Sequence, residues 1–218
     1  MKKTSPAIVI GAITLTSLLT VGSTLLTLGI SEESLRLTLR ETARISTLIF
    51  ILVFITSPLH KLIKNNLSTW LMVHRRYLGI SFGISHLIHL GLILFLMSAY
   101  SNGELLKIAS VSTYAVCGIG YALILAMLAT SNNRSVKHLG HKRWKRLHTF
   151  GMYYLLLAFL SSYVGLLEKD VSFYAPIVLS LVLACLIRAF ALFSNTANSN
   201  STNANSTHSS STKKSRIA

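Results

Sequence analysis

The chain has 218 residues, of which 51% are hydrophobic and only 12% charged, whereas soluble domains contain about 25% charged residues. This composition excludes an ordinary water-soluble protein. The formal charge of +15 does not indicate nucleic-acid binding, because the lysines and arginines form short clusters between apolar segments. We therefore expect a protein whose main partner is the lipid bilayer and which binds no nucleic acid.

Six stretches of the sequence come close to the length of about 20 apolar residues that a helix needs to cross the hydrocarbon core. They are 7–30, 43–59, 77–100, 108–130, 147–167 and 174–193. The first follows Met1, Lys2 and Lys3 as a signal peptide would, but its length and the lack of a clear cleavage site favour a membrane span. The predicted fold class is an all-α integral membrane bundle of about six transmembrane helices.

The charges between these stretches predict an orientation, because cytoplasmic segments of membrane proteins are rich in lysine and arginine. With the N-terminus and the C-terminus cytoplasmic, all 6 acidic residues of the chain lie on the outer side. Of the 21 lysines and arginines, only Arg36, Arg40, Arg44, Lys107 and Lys169 lie with them. An odd number of spans would destroy this segregation, so we predict a multi-pass protein of the cell inner (plasma) membrane.

The composition changes at about Asn195 to Asn, Ser, Thr and Ala, and such a segment does not bury a core. We predict a membrane domain over residues 1–194 and a disordered cytoplasmic tail over residues 195–218. Neither part contains a G-x-G-x-x-G or P-loop motif, so we expect no flavin or nicotinamide fold.

Histidines in or beside the spans are the candidate functional residues, since ionisable groups in a membrane are costly and histidine is a common axial ligand of heme iron. His86 and His89 lie close together on the third span, near one face of the helix. His148 opens the fifth span and His74 precedes the third. A purely structural use, in which each imidazole hydrogen-bonds to a neighbouring helix, fits the same pattern.

Three segments resemble the ferric reductase-like transmembrane domain family. Ser57-Pro58-Leu59-His60-Lys61, followed by Arg75-Arg76-Tyr77-Leu78-Gly79-Ile80 and then His89, is similar to the second and third spans of that family. Trp144-Lys145-Arg146-Leu147-His148 is similar to the entry of its fifth span. The sequence most resembles the small bacterial members, the heme-binding membrane subunits that serve periplasmic methionine sulfoxide reductase.

This resemblance implies a b-type heme between histidines of the third and fifth spans, in an oxidoreductase component that passes electrons across the membrane. Larger members add a cytoplasmic flavin domain, of which this sequence shows no sign. A quinol or a separate cytoplasmic reductase carrying the flavin is then the expected donor, and a periplasmic reductase the expected acceptor. Arg75 and Arg76 are candidates to neutralise heme propionates or a quinone headgroup, although the positive-inside rule explains the same charges without a ligand.

The sequence departs from the family at Ser161, where members carry a second histidine that shares a heme with the counterpart of His89. A serine hydroxyl is a poor iron ligand, and the nearby Tyr163 would ligate iron only in an unusual way. His148 is a poor substitute, because counting along the two spans places it roughly 16 Å from the depth of His89.

The sequence therefore leaves several arrangements open. His74 and His148 match in depth and predict a heme near the cytoplasmic face, which leaves His86 or His89 for a five-coordinate heme, a quinone hydrogen bond or a structural role. The alternative function is a heme-free membrane scaffold or assembly protein that kept the bundle and lost the ligands. A transporter is disfavoured, because the spans contain no acidic residues of the kind that proton and cation pathways use.

The predicted orientation is testable with reporter fusions. Green fluorescent protein fused after Ala218 is expected to fluoresce in bacterial cells, because both termini are predicted to be cytoplasmic. Alkaline phosphatase, which is active only outside the cytoplasm, is expected to be active when inserted after Glu104 and inactive when fused after Ala218. The reverse pattern of activities would contradict the orientation.

Overall fold

The computed structural model describes residues 5–100 and 111–214 of the protein. The described chain folds into the α-helices α1 (Pro6–Leu28), α2 (Glu32–Leu62), α3 (Asn66–Tyr100), α4 (Val111–Ala129), α5 (Asn133–Leu139), α6 (His141–Leu167) and α7 (Val171–Lys214). All except the short α5 are long and apolar enough to cross a membrane, giving 6 spans in the described chain. The predicted all-α membrane bundle is confirmed, and the protein is a multi-pass membrane protein.

The helix that contains the second apolar stretch begins at Glu32, before that stretch starts at residue 43. Ser31 caps α2, since its side-chain oxygen accepts a hydrogen bond from the Ser34 amide at 3.2 Å and its amide donates to Ser34 Oγ at 3.0 Å. An ion pair of 2.7 Å between Glu32 and Arg36 joins successive turns of the added segment. Capping and local pairing therefore extend α2 beyond its apolar stretch.

The helix that contains the third apolar stretch also begins before it, because Asn65 caps α3. Its Oδ1 accepts a hydrogen bond from the Ser68 amide at 2.8 Å, so the helix starts at Asn66, whereas the apolar stretch starts at residue 77. His74, which precedes the apolar stretch, consequently lies inside α3. The start of the fourth predicted span, at residue 108, falls outside the described residues.

Helix α2 occupies the centre of the bundle. Phe50 and Phe54 on this helix are fully buried. The Phe50 ring lies 5.4 Å from Phe82 of α3 and 5.1 Å from Phe159 of α6, measured between centroids. Each such aromatic pair contributes about 0.5–1.5 kcal/mol beyond simple burial. Three spans are therefore held together by one aromatic cluster near the middle of the membrane domain.

Two glycines bring α4 close to its neighbours. A Cβ atom at Gly83 of α3 would lie 2.6–2.7 Å from three side-chain atoms of Leu128, and one at Gly151 of α6 would lie 2.7 Å from Met127 Sδ. Glycine at these positions lets α4 approach both helices closely. Gly79 lies four residues before Gly83 on the same helix and is less crowded, since the nearest neighbour of a Cβ atom there would be Val53 Cγ1 at 4.0 Å.

The short helix α5 lies in the segment between α4 and α6, which is rich in lysine and arginine and is predicted to be cytoplasmic. Asn132 caps it by accepting the Ser135 amide at 2.7 Å, and Gly140 ends it with φ of 76°. At the end of the chain, α7 continues to Lys214, past the span that ends at Ser194. The division into a membrane domain and a disordered tail stays a prediction.

Replacing Gly83 tests the close α3–α4 contact. Gly83→Ala is expected to lower the free energy of unfolding by about 1–3 kcal/mol, because the methyl group overlaps the branched end of Leu128. Gly79→Ala, one helical turn earlier, is the matched control and is expected to have little effect. The thermal midpoints of the detergent-purified variants measure both. Equal midpoints for the two variants would contradict the packing.

Candidate functional site

His86 and His89 of α3 both face hydroxyl groups of α2. Thr42 Oγ1 lies 2.9 Å from His89 Nδ1, and Ser46 Oγ lies 3.0 Å from His86 Nδ1. Thr42 and Ser46 are one turn apart on α2 and are fully buried. Each histidine of α3 therefore has its own partner on the central helix.

The surrounding hydrogen bonds predict one tautomer for both rings. The Thr42 hydroxyl lies 2.9 Å from the Thr38 carbonyl, and the Ser46 hydroxyl lies 2.9 Å from the Ala43 carbonyl. We expect each hydroxyl to donate its one proton to that carbonyl, so that its oxygen accepts the hydrogen bond from the histidine Nδ1–H. In this tautomer the Nε2 atoms of His86 and His89 are unprotonated, which is the state that binds metal ions.

Aromatic side chains surround the His86 ring. Tyr121 of α4 stacks on it with 5.1 Å between centroids, and Phe159 of α6 meets it edge-on at 5.4 Å. Phe82 is stacked at 5.7 Å. The His86 and His89 rings are themselves stacked at 5.4 Å. Two stacked rings on one helix cannot bind one metal ion from opposite sides, so at most one of them is an axial ligand of a given iron.

Ser161, where the resemblance predicts a second histidine, is turned away from this site. It is exposed, and its hydroxyl donates to the Ala158 carbonyl at 3.0 Å. Tyr163 points inward and is buried, and its hydroxyl lies 3.2 Å from Thr47 Oγ1. Neither side chain is directed at His89.

His148 lies near the N-terminal end of α6, away from His86 and His89. Its Nε2 is 3.1 Å from Thr130 Oγ1 near the end of α4, and Trp144 packs on its ring at 4.5 Å. Phe159, which touches His86, follows His148 by a rise of about 16 Å along the helix. The structure therefore does not bring His148 together with the histidines of α3.

His74 is buried on α3 and is held by its own helix. Its Nδ1 donates to the Trp70 carbonyl at 2.8 Å, and its ring stacks on the Trp70 indole at 4.4 Å. Both His74 and His148 thus have a tryptophan one turn away, which orients each ring at the basic end of its helix.

The two arginines predicted as anion ligands have different surroundings. Arg76 donates to the Ser131 carbonyl at 2.7 Å and to Asn133 Oδ1 at 2.8 Å, which ties α3 to the start of α5. Arg75 is half-buried and lies within electrostatic range of His148 and of Arg188. Arg76 therefore has a structural role, whereas Arg75 faces other basic groups.

Thr42, Ser46 and Arg188 were not among the site residues predicted from the sequence. The first two continue a polar stripe with Ser34 and Thr38 at a spacing of four residues, which was visible in the sequence as one face of α2. Arg188 was counted with the inner charges, although it lies within the apolar span Val171–Ser194. A charged residue inside a span is costly and rare, so that position was itself a signal.

These residues fit a heme with one histidine ligand from α3. In the expected tautomer the donor set offers an unprotonated Nε2 on His86 and on His89. Within the described residues no group of 3 or more His, Cys, Asp or Glu side chains gathers to hold a bare metal ion. A porphyrin iron needs only one or two protein ligands, because the macrocycle supplies the others. The chemistry of the site therefore suits a heme better than a metal ion bound by side chains alone.

The tautomers are testable without any cofactor. Nitrogen-15 NMR of histidine-labelled protein is expected to show His86 and His89 protonated at Nδ1 and unprotonated at Nε2. Thr42→Val removes the acceptor of His89 and is expected to change the signals of that ring. Thr38→Val, one turn away on the same buried face, is the control and is expected to leave them unchanged. Protonation at Nε2 in the unmodified protein would contradict the assignment.

Comparison with known proteins identifies the family. Comparison with curated proteins and with solved structures gives no significant match. The family model described as "Ferric reductase like transmembrane component" matches residues 40–159, which is more than half of the 218-residue chain and includes all four candidate histidines. The match begins in α2 and ends at Phe159, so it covers the helices that build the site. The chain belongs to the ferric reductase-like transmembrane component family.

Proposed function

We propose that this protein binds one heme b and carries electrons through the bilayer as a membrane electron-transfer subunit. The observation that carries the proposal is the pair of α3 histidines whose Nδ1–H groups are held by Thr42 and Ser46. A hydrogen bond at Nδ1 orients a ligating imidazole and raises the basicity of its Nε2. Family membership supports the same conclusion.

His89 is the proposed axial ligand, because it occupies the position of the family's ligand on the third span. A bound heme would supply one-electron chemistry that no amino-acid side chain of the site offers. Thr42 fixes the orientation of the His89 ring, and His86 stacks against that ring. Tyr121 and Phe159 pack around His86 and limit the access of water. Low polarity around the iron is one of the means by which a protein sets a heme potential.

The proposed partners follow from the resemblance and the charge distribution. We place the protein in the inner membrane with both termini in the cytoplasm. A quinol or a cytoplasmic flavin reductase is the proposed donor, and a periplasmic reductase is the proposed acceptor. The likeness to the membrane subunit of the methionine sulfoxide reductase system supports this acceptor by analogy of family alone.

A heme-free scaffold is the second candidate function, and one observation favours it. Ser161 stands in place of a ligand and faces away from the bundle, and Tyr163 beside it is committed to Thr47. A chain that had lost heme would be expected to fill the space between α3 and α6 with aromatic side chains. The contact between His86 and Phe159 is of this kind.

The absorbance spectrum of protein made with ample heme separates these functions. A b-type reduced-minus-oxidised spectrum is expected, and His89→Ala is expected to abolish it because the proposed ligand is removed. His86→Ala is expected to weaken it through the loss of ring packing. His138→Ala on the exposed face of α5 is the matched control and is expected to leave the spectrum intact.

Two results would contradict the proposed site. A colourless protein would support the scaffold function. A spectrum that survives His89→Ala but is lost in both His74→Ala and His148→Ala would move the heme to the basic end of α3 and α6. In that case the hydroxyl-bonded histidines of α3 would have a structural role.

A further inference from the structure

Pro58 lies inside the central helix α2, which continues past it to Leu62. A proline has no backbone N–H, so it cannot donate the helical hydrogen bond to the carbonyl four residues earlier, and its ring crowds that carbonyl. In α2 this carbonyl belongs to Phe54, whose side chain is fully buried. Because lipid offers no donor, a carbonyl freed in this way inside a membrane protein needs one from a neighbouring helix.

Arg188 of α7 supplies a donor to this carbonyl. Its Nη1 donates to the Phe54 carbonyl at 3.2 Å, and its Nε donates to Tyr153 Oη of α6 at 3.0 Å. The guanidinium also lies over the rings of Phe54 and Tyr153, 4.5 Å and 4.9 Å from their centroids. Because the guanidinium is planar, these hydrogen bonds and ring contacts together fix its orientation. Arg188 therefore joins α2, α6 and α7 at one point.

The contact falls on the one carbonyl of α2 that a proline deprives of its helical donor. Pro58 is the single proline of this helix, all of which the structure describes. Arg188 lies in the apolar span Val171–Ser194, where a charged side chain is costly and is kept for a specific partner. The Phe54 carbonyl is a partner of that kind, since backbone carbonyls are among the groups that pair with arginine inside membranes.

We propose that Arg188 is the latch of a proline hinge in α2, where it takes the place of the N–H that Pro58 lacks. Without this contact, the last turn of α2, residues 59–62, bends more freely about the proline, because prolines are the usual sites of helix kinks. That turn carries His60, whose Nδ1 lies 3.2 Å from Ser68 Oγ of α3. Opening the latch therefore loosens the junction between α2 and α3. The proposal is independent of heme, since every group in it belongs to the chain.

A double-mutant cycle on the full-length protein in detergent tests the latch. Pro58→Ala restores an N–H that donates to the Phe54 carbonyl in a regular helix. In the parent protein, Arg188→Met is expected to raise the equilibrium constant of unfolding about tenfold, because it leaves a buried carbonyl unpaired. In the Pro58→Ala background the same change is expected to raise it only about threefold, the value of the remaining hydrogen bond to Tyr153. Tryptophan fluorescence during unfolding in sodium dodecyl sulfate measures these constants.

Tyr153→Phe is the matched control, because it removes the other hydrogen-bond partner of Arg188 and leaves the contact with the Phe54 carbonyl. Its effect is expected to be the same in the parent and in the Pro58→Ala background. If Arg188→Met does not accumulate, Arg188→Lys replaces it in the cycle. A lysine keeps the charge but lacks the planar fork, so a smaller loss with the same dependence on Pro58 is expected.

Hydrogen exchange measures the motion of the hinge directly. Peptide-level mass spectrometry is expected to show faster exchange of the amides of residues 59–62 in Arg188→Met than in the parent, because the last turn opens more often. Adding Pro58→Ala to Arg188→Met is expected to return the exchange toward that of the Pro58→Ala variant alone.

The outcomes separate a latch from an ordinary contact between helices. Coupling of Arg188 to Pro58 but not of Tyr153 to Pro58, together with faster exchange in the last turn of α2, supports the latch. An equal effect of Arg188→Met in the two backgrounds would overturn it, and so would unchanged exchange of residues 59–62. A colourless protein that shows the coupling would refute the heme proposal alone.

Discussion

A polar group inside a bilayer must find its hydrogen-bond partner within the protein, and this constraint arranges the centre of the bundle. The buried hydroxyls of α2 donate to carbonyls of their own helix and accept from the histidines of α3. Interhelical hydrogen bonds of this kind contribute only about 0.6 kcal/mol each in membranes. Aromatic packing around Phe50 is therefore the larger source of stability, and the hydroxyls mainly fix the orientation and the tautomer of the histidines.

The same constraint separates two kinds of basic residue in the spans. His86 and His89 each have a partner at Nδ1, so in the expected tautomer they keep Nε2 for a ligand. Arg188 brings a guanidinium group into the last span, where tyrosine and carbonyl oxygens accept two of its N–H groups. Both kinds of side chain are thus held by neutral oxygen atoms of neighbouring helices.

The family match and the expected departure from the family pattern lie in different parts of the bundle. The match covers residues 40–159, which include His89, Arg75 and His148. Ser161, where the resemblance predicts a second histidine, lies beyond the matched residues in the C-terminal half of α6, where Ser161 faces outward and Tyr163 faces inward. This end of α6 packs through Tyr163 against Thr47 of α2 and Tyr174 of α7. Contacts of Tyr163 therefore join α2, α6 and α7 at this level.

The sequence by itself determined the number of spans, because about 20 apolar residues per crossing is a local requirement that each segment meets alone. It also singled out His89 and His148, and counting residues gave their difference in depth. It did not give the beginnings of the helices α2 and α3, because capping by Ser31 and Asn65 extends a helix without raising its hydropathy. Only the tertiary structure decided which hydroxyls hold the histidines and which groups hold Arg188, since both depend on how the helices turn their faces toward one another.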